Sequence, residues 1–337
     1  MTTARLAPLL TSRQRLVLPI MTHPGIDRIG KRVLDCVTDA EVQVRAIVEL
    51  ARAYPTAAAT AVMDLTVEAE AFGARVAFAE HEIPTIPGRL VESREQVEAL
   101  PVPRPDAARL AVYQRAARGA AAAIADRPVL AGCIGPFSLA ARLFGMTEIM
   151  TACLLEPETI DLLLEKCTAL LVEHARALKA AGTDGLIMAE PAAGLLSEEL
   201  CDAFSSAHVR RVVEAVQDDG YLFVLHNCGN RGHVTRSMVS TGARALHLGN
   251  QADMVTALRE IPPDRLVLGN LDPAGLLKMG TPEAVATAAG ALLDATAGYP
   301  NFILSSGCDT PPGTPEANLL AMFAAVERAN LKAITAR

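Results

Sequence analysis

The sequence predicts an α/β protein built as a parallel (β/α)8 barrel of the TIM type, and three observations carry that expectation. Short apolar runs alternate with long helical stretches along the 337 residues, as repeated βα units require. Eight such runs occur, which suits a ring better than an open sheet. Their bodies are apolar, while polar side chains gather at their exits: Thr22 and His23, Asp64, Glu190, His226 with Cys228, Asn250, Asn270 with Asp272, and Cys308. Barrels of this kind carry their chemistry on the face that those exits form.

The elements follow in order. A first strand is expected at 16–21, followed by a helix over 41–53, and a second strand at 58–64 ends on Asp64. The stretch 65–127 is long for a βα connection, so it reads as an insertion with a hairpin around 76–86 and a helix over 106–125. The third strand, 128–135, is the one that ends blandly, in Cys133-Ile-Gly135. Helix 158–181 leads to the fourth strand, 184–190, and helix 197–217 to the fifth, 222–228. The sixth, seventh and eighth strands are expected at 244–250, 266–272 and 302–309, with helices at 282–297 and 315–330. Those two helices each open on Thr-Pro-Glu (Thr281 and Thr314), a capping hydroxyl, a proline at the first turn and an acid favoured by the helix dipole. No linker rich in Pro, Gly or Ser divides the chain, so residues 1–337 are expected to form one barrel domain carrying the 65–127 insertion.

Composition narrows the function classes. With 31 Lys and Arg against 38 Asp and Glu, the net charge of −7 argues against nucleic acid as a partner. No run of apolar residues is long enough to span a membrane. Arg13 and Arg15 break the N-terminal apolar run, which makes a poor signal peptide. Seven scattered cysteines do not form a disulfide framework, so a reducing, cytoplasmic setting is expected. No phosphate loop or dinucleotide fingerprint is present.

The chemistry concentrates at His226-Asn227-Cys228 and at Cys308, 80 positions beyond Cys228. A histidine and a cysteine two apart on an extended strand project from one face. One imidazole and two thiolates suit zinc, and three protein ligands leave a fourth position for water or substrate, as catalytic zinc sites do. The plain alternative for either residue alone is a capping histidine or a buried thiol; the joint pattern favours metal. Cys36, Cys133, Cys153, Cys167 and Cys201 have no partners at ligand spacing and read as ordinary buried thiols.

With these motifs in hand, the chain resembles the uroporphyrinogen decarboxylase superfamily, and within it the branch of zinc-dependent cobalamin methyltransferases such as the methylcobamide:coenzyme M methyltransferases. The likeness runs from about Leu16 to Asn330 and is carried by MDLTVEAEAFG (63–73), HNCGN (226–230), GNLDP (269–273) and SGCDTPPGTP (306–315). The second and fourth stretches are particular to the zinc branch; the first and third are shared across the superfamily and speak to fold. The resemblance implies that His226, Cys228 and Cys308 hold Zn2+ and that the metal keeps a small thiol ionised. That thiolate would attack the methyl group of methylcobalamin, presented by a separate corrinoid protein. The reverse direction, with a methylated small molecule as donor, is equally open, as is a homodimer.

Departures from the decarboxylase pattern matter as well. That branch carries an arginine-rich loop near the first strand, where this chain has LPIMTHPG (18–25). Its late Gly-His-Gly is Gly307-Cys308-Asp309 here, although Asp64 stands where the decarboxylase keeps a pyrrole-binding aspartate. An octa-anionic porphyrinogen needs several cations, and the strand exits offer none. A decarboxylase without its arginine loop, and a corrinoid- or tetrapyrrole-binding protein without turnover, are the two rival readings.

The remaining candidates divide less cleanly. Glu190 could complete the zinc shell or hold a ligand histidine, or else cap a helix. Asp64 is a second candidate catalytic carboxylate. His23, Asn270 and Asp272 could contact substrate or orient ligands, with loop and rim capping as the alternative. Of Glu68 and Glu70, at least one is expected on a solvated face. His247 is expected to be a satisfied core or interface histidine, and His81, His174, His208 and His233 to lie on the surface. Asn227 and Asn230 are expected to shape the turn around Cys228.

Overall fold

The computed structural model describes residues 4–335. Seven parallel strands form one curled sheet in chain order: β1 (Ala59–Thr60), β2 (Val129–Ile134), β3 (Gly185–Ala189), β4 (Leu222–Asn227), β5 (Ala245–Leu248), β6 (Leu266–Leu271) and β7 (Phe302–Ser306). Helices connect them, so the fold is α/β and TIM-barrel-like. It is not the closed eight-stranded ring the sequence predicts. Residues 16–21 make only a parallel bridge, Val17 to Leu304, with the Leu18 N–H donating to the Leu304 carbonyl at 2.8 Å. Pro19 lacks an N–H and cannot continue a ladder. Beyond it the Ile20 N–H turns to the Ser306 hydroxyl at 3.1 Å. On its other side Val17 accepts from Ala57 N at 2.9 Å, so this irregular segment lies between the two edges of the curled sheet.

Period-two alternation sets what faces inward. Leu130, Ile187, Ala189, Leu222, Val224, Ala245, Leu268 and Ile303 pack together in the interior. The intervening Leu186, Met188, Phe223, Leu225, Leu246, Val267 and Leu304 pack under the helices. Strands covered on both faces read as unbroken apolar runs, which is why their existence was legible. Continuing each inward row by two residues gives His226 on β4, His247 on β5 and Ser305 on β7, all buried. The site therefore sits on top of an apolar plug.

Each helix expected from the sequence is present, in whole or in part. Helix Pro157–Ala180 buries Leu163, Leu164, Leu170, Leu171, His174 and Leu178 along one broad stripe and packs against Ala207–Val216 and Pro136–Phe144. His174 meets Gln114 at 3.2 Å and His208 meets Thr168 at 2.9 Å across helix contacts, which is why both are buried rather than on the surface. The expected 197–217 helix is interrupted by a π turn at Asp202–Ser206. Helices His23–Arg28, Val33–Thr38, Pro136–Phe144 and Met146–Leu155 were not expected. The last two are separated by Gly145, whose φ of +105° breaks the helix at a 105° bend. Thr281 caps its helix by accepting from Ala284 N, whereas the Thr314 hydroxyl donates to the Pro311 carbonyl and its helix starts at Glu316. The insertion's hairpin is reduced to one antiparallel bridge, Ala77 to Thr85. Among the described residues no single helix is long and apolar enough to cross a membrane.

Candidate metal centre

β4 delivers His226 on its last inward position and then turns. The turn is held by Asn227, whose Oδ1 accepts from Gly229 N and Asn230 N at 3.0 Å each. Asn230 in turn accepts from Gly232 N and Val234 N, as expected of turn asparagines. Cys228 lies in this turn, its backbone pressed on Gly249: a Cβ there would stand 2.5 Å from the Cys228 carbonyl oxygen. Cys308 follows the end of β7. Curling of the sheet brings the two strand ends together, and the ligand atoms of His226, Cys228 and Cys308 all lie within 4.8 Å of one another.

The electrostatics of the trio suit a cation. The two thiols are coupled: Cys308 lowers the Cys228 thiol to about 7, and Cys228 raises that of Cys308 to about 12. One of the pair is therefore readily ionised. His226 Nδ1 is taken by His247 Nδ1 at 2.7 Å, which leaves its Nε2 for a ligand. One imidazole nitrogen and two thiols within reach of one point fit zinc, and no carboxylate joins the group among the described residues.

These three residues line a cavity of about 210 Å³ together with apolar Ile20, Met63, Leu65 and Ile83. Ile83 comes from the long connection between β1 and β2, which thus supplies a wall. Two polar residues that the sequence did not single out complete it, Arg142 and Asp309. Arg142 sits on the unexpected helix Pro136–Phe144; burial lowers its pKa, against the fields of Asp64 and Glu68. Its guanidinium makes no hydrogen bond or ion pair among the described residues. Asp309 accepts from Thr22 N at 2.9 Å, and burial pushes its carboxyl up to about 7. Its adjacency to Cys308 was the available signal.

Each of the other expected site residues has a definite place in the fold. Glu190 is buried and accepts from Phe137 N, Ser138 N and Ser205 Oγ at 2.7, 2.8 and 3.0 Å. It thus caps helix Pro136–Phe144, with the π turn presenting Ser205, and burial raises its pKa. Asp64 binds Thr66 through one oxygen, and Arg109 and Tyr113 through the other. It ties together parts of the β1–β2 connection and does not line the cavity. Glu68 is buried, accepts from Ile134 N at 3.0 Å and is pushed by burial to about 7, while Glu70 pairs with Arg109 at 2.6 Å. His23 opens a helix instead of bonding a loop; it is buried, its Nδ1 finds no partner among the described residues, and burial lowers its pKa. Asn270 donates to the carbonyls of Gly249 and Ala252 at 2.9 and 2.6 Å, shaping the loop under Cys228. Asp272 accepts from Ala274 N and Gly275 N at 3.0 Å, a rim cap.

Fold and site define a TIM-barrel-like α/β protein with an open His-Cys-Cys trio at the carboxyl ends of its strands. The chain belongs to the uroporphyrinogen decarboxylase (URO-D) family, which it matches over residues 10–329. It is 29% identical over 266 residues to the methylcobamide:CoM methyltransferase MtbA of Methanosarcina acetivorans, covering 77% of this chain and 76% of that protein. It is 31% identical over 247 residues to the uroporphyrinogen decarboxylase of Anaeromyxobacter dehalogenans, covering 71% and 69%. Among solved structures, a methyltransferase from Methanosarcina mazei superposes with a TM-score of 0.87 at 22% identity, covering 96% of this chain and 97% of that one, a likeness of fold.

Proposed function

We propose that this protein is a zinc-dependent corrinoid methyltransferase, moving a methyl group between a cobalamin carried by a partner protein and a small thiol or methylated substrate. The observation that carries the proposal is the convergence of His226, Cys228 and Cys308 within 4.8 Å on one cavity. The named methyltransferase relatives support it. Bound by the trio, zinc would act as a Lewis acid that lowers the pKa of a substrate thiol or polarises a methylated donor.

The chain's own residues do the rest. Ile20, Met63, Leu65 and Ile83 keep the cavity dry, which strengthens every charge interaction inside it. Its volume of about 210 Å³ is small beside the roughly 300–1,000 Å³ of ordinary ligand pockets, so it suits a small substrate. Arg142 offers an unpaired guanidinium to an anionic substituent. A single cation in the wall is poorly matched to an octa-anionic porphyrinogen, and Asp64 is engaged elsewhere, which weighs against tetrapyrrole decarboxylation. Nothing favours a purely binding role over turnover.

Elemental analysis of the purified protein, prepared without chelators, tests the proposal. We expect about one zinc per chain, lost in both Cys228→Ser and Cys308→Ser, together with demethylation of methylcobalamin by a small thiol. A metal-free wild type that decarboxylates porphyrinogen would sink it.

A further inference from the structure

The trio needs a ligand histidine with one bare ring nitrogen, and hydrogen-bond polarity decides which. A backbone carbonyl can only accept, so the Ser305 hydroxyl donates its single proton to the Leu18 carbonyl at 2.6 Å. Ser305 Oγ is then an acceptor towards His247 Nε2 at 2.8 Å, and that nitrogen carries a proton. No carboxylate pairs with His247 among the described residues, and burying an imidazolium among apolar side chains is costly. The ring is therefore neutral and its Nδ1 bare. Facing it at 2.7 Å, His226 Nδ1 must be the donor. In the neutral form that binds a metal, His226 then keeps its lone pair on Nε2.

We propose that His247, anchored by Ser305, is a positioning residue that holds His226 as its Nδ1–H tautomer and so presents Nε2 to the metal. The chain of bonds crosses the barrel interior from the Leu18 carbonyl through β7 and β5 to β4. It begins at a group whose polarity cannot invert, so the order is fixed all the way to the ligand. Register pairing of His226 with His247 on adjacent strands supplies the geometry. Partners of this kind tune ligand orientation and basicity.

The consequence for metal binding rests on the zinc reading, but the tautomers can be read without metal. Long-range 15N–1H NMR of the metal-free wild type should show His226 protonated at Nδ1 and His247 at Nε2. Finding His226 protonated at Nε2 would overturn the proposal. Zinc affinity measured by chelator competition should fall roughly 10- to 100-fold in His247→Phe. His247→Gln, whose amide oxygen can accept from His226 and whose amide N–H can donate to Ser305, should recover most of that loss. A folded His247→Phe protein within about twofold of wild-type affinity would also overturn it. A wild type that takes no zinc while showing these tautomers would count against the metal reading alone.

Discussion

His226 and His247 meet Nδ1 to Nδ1 at 2.7 Å, edge to face with ring planes 76° apart, inside an otherwise apolar barrel. Their bond is one link in a chain that ends on the Leu18 carbonyl and ties β4, β5 and β7 to the irregular first segment. Ser305→Ala would strand the His247 Nε2–H and the Leu18 carbonyl in a dry interior. The expected cost is about 1–3 kcal/mol of stability, read as a lower urea midpoint at unchanged m-value. An unshifted midpoint would contradict the linkage.

Gly249 is where the Cys228 turn rests. A Cβ there would meet backbone atoms of Cys228 at 2.5 to 2.9 Å, and backbone cannot swing aside as a side chain can. Gly249→Ala should displace Cys228, costing about 1–3 kcal/mol of stability and weakening zinc retention during dialysis against a chelator. Full retention would show that the turn yields without moving the thiol.

Glu190 caps a helix and takes no part in the metal trio, and its substitution separates those roles. Glu190→Gln turns an amide N–H2 towards donors that the carboxylate now accepts. Thermal unfolding should come earlier, by the equivalent of about 1.5–3 kcal/mol. Zinc content should stay at the wild-type level; parallel loss of metal would make Glu190 a ligand.

On the proposed function, Arg142 should govern substrate choice. Comparing 2-mercaptoethanesulfonate with 2-mercaptoethanol as methyl acceptors, Arg142→Leu should raise KM for the anionic thiol about 10-fold more than for the neutral one. Equal changes for both thiols would mean that the guanidinium does not read charge.

His174 should give the protein an acid-sensitive stability. Burial holds its folded pKa near 4, against about 6.5 unfolded. Between those values the unfolded chain binds a proton that the folded chain does not, so stability rises with pH there. The contribution is complete above about pH 6.5 and drains away as pH falls towards 4, by about 2 kcal/mol at pH 4.5. Urea midpoints at pH 7 and pH 4.5 should therefore lie closer together in His174→Gln than in wild type. An identical gap in both would place the acid sensitivity elsewhere.

The legible parts of this protein are those written within one strand or helix. Leu222 to Leu225 running into His226-Asn227-Cys228 encodes a buried strand, an inward histidine and an Asn-shaped turn, because period-two alternation is local. Thr281-Pro-Glu encodes a helix start for the same reason. Where local signals compete, the outcome was less legible. Residues 16–21 read as a strand by hydropathy, yet Pro19 denies the ladder a donor; Thr314 reads as a cap, yet its hydroxyl goes to Pro311.

By itself, then, the sequence determined a repeating βα architecture and a His-x-Cys motif with a third cysteine at another strand exit. Only the tertiary structure decided that Cys308 reaches the pair, that Glu190 caps a helix and Asp64 binds an arginine, and that Arg142 and Asp309 face the cavity. It also decided that His247 is tied to His226. The physical reason is common to all of these. Each is a contact of a few ångströms between segments that lie 21 to 287 residues apart, made when the sheet curls and its strand ends converge. No periodicity along the chain records that curvature.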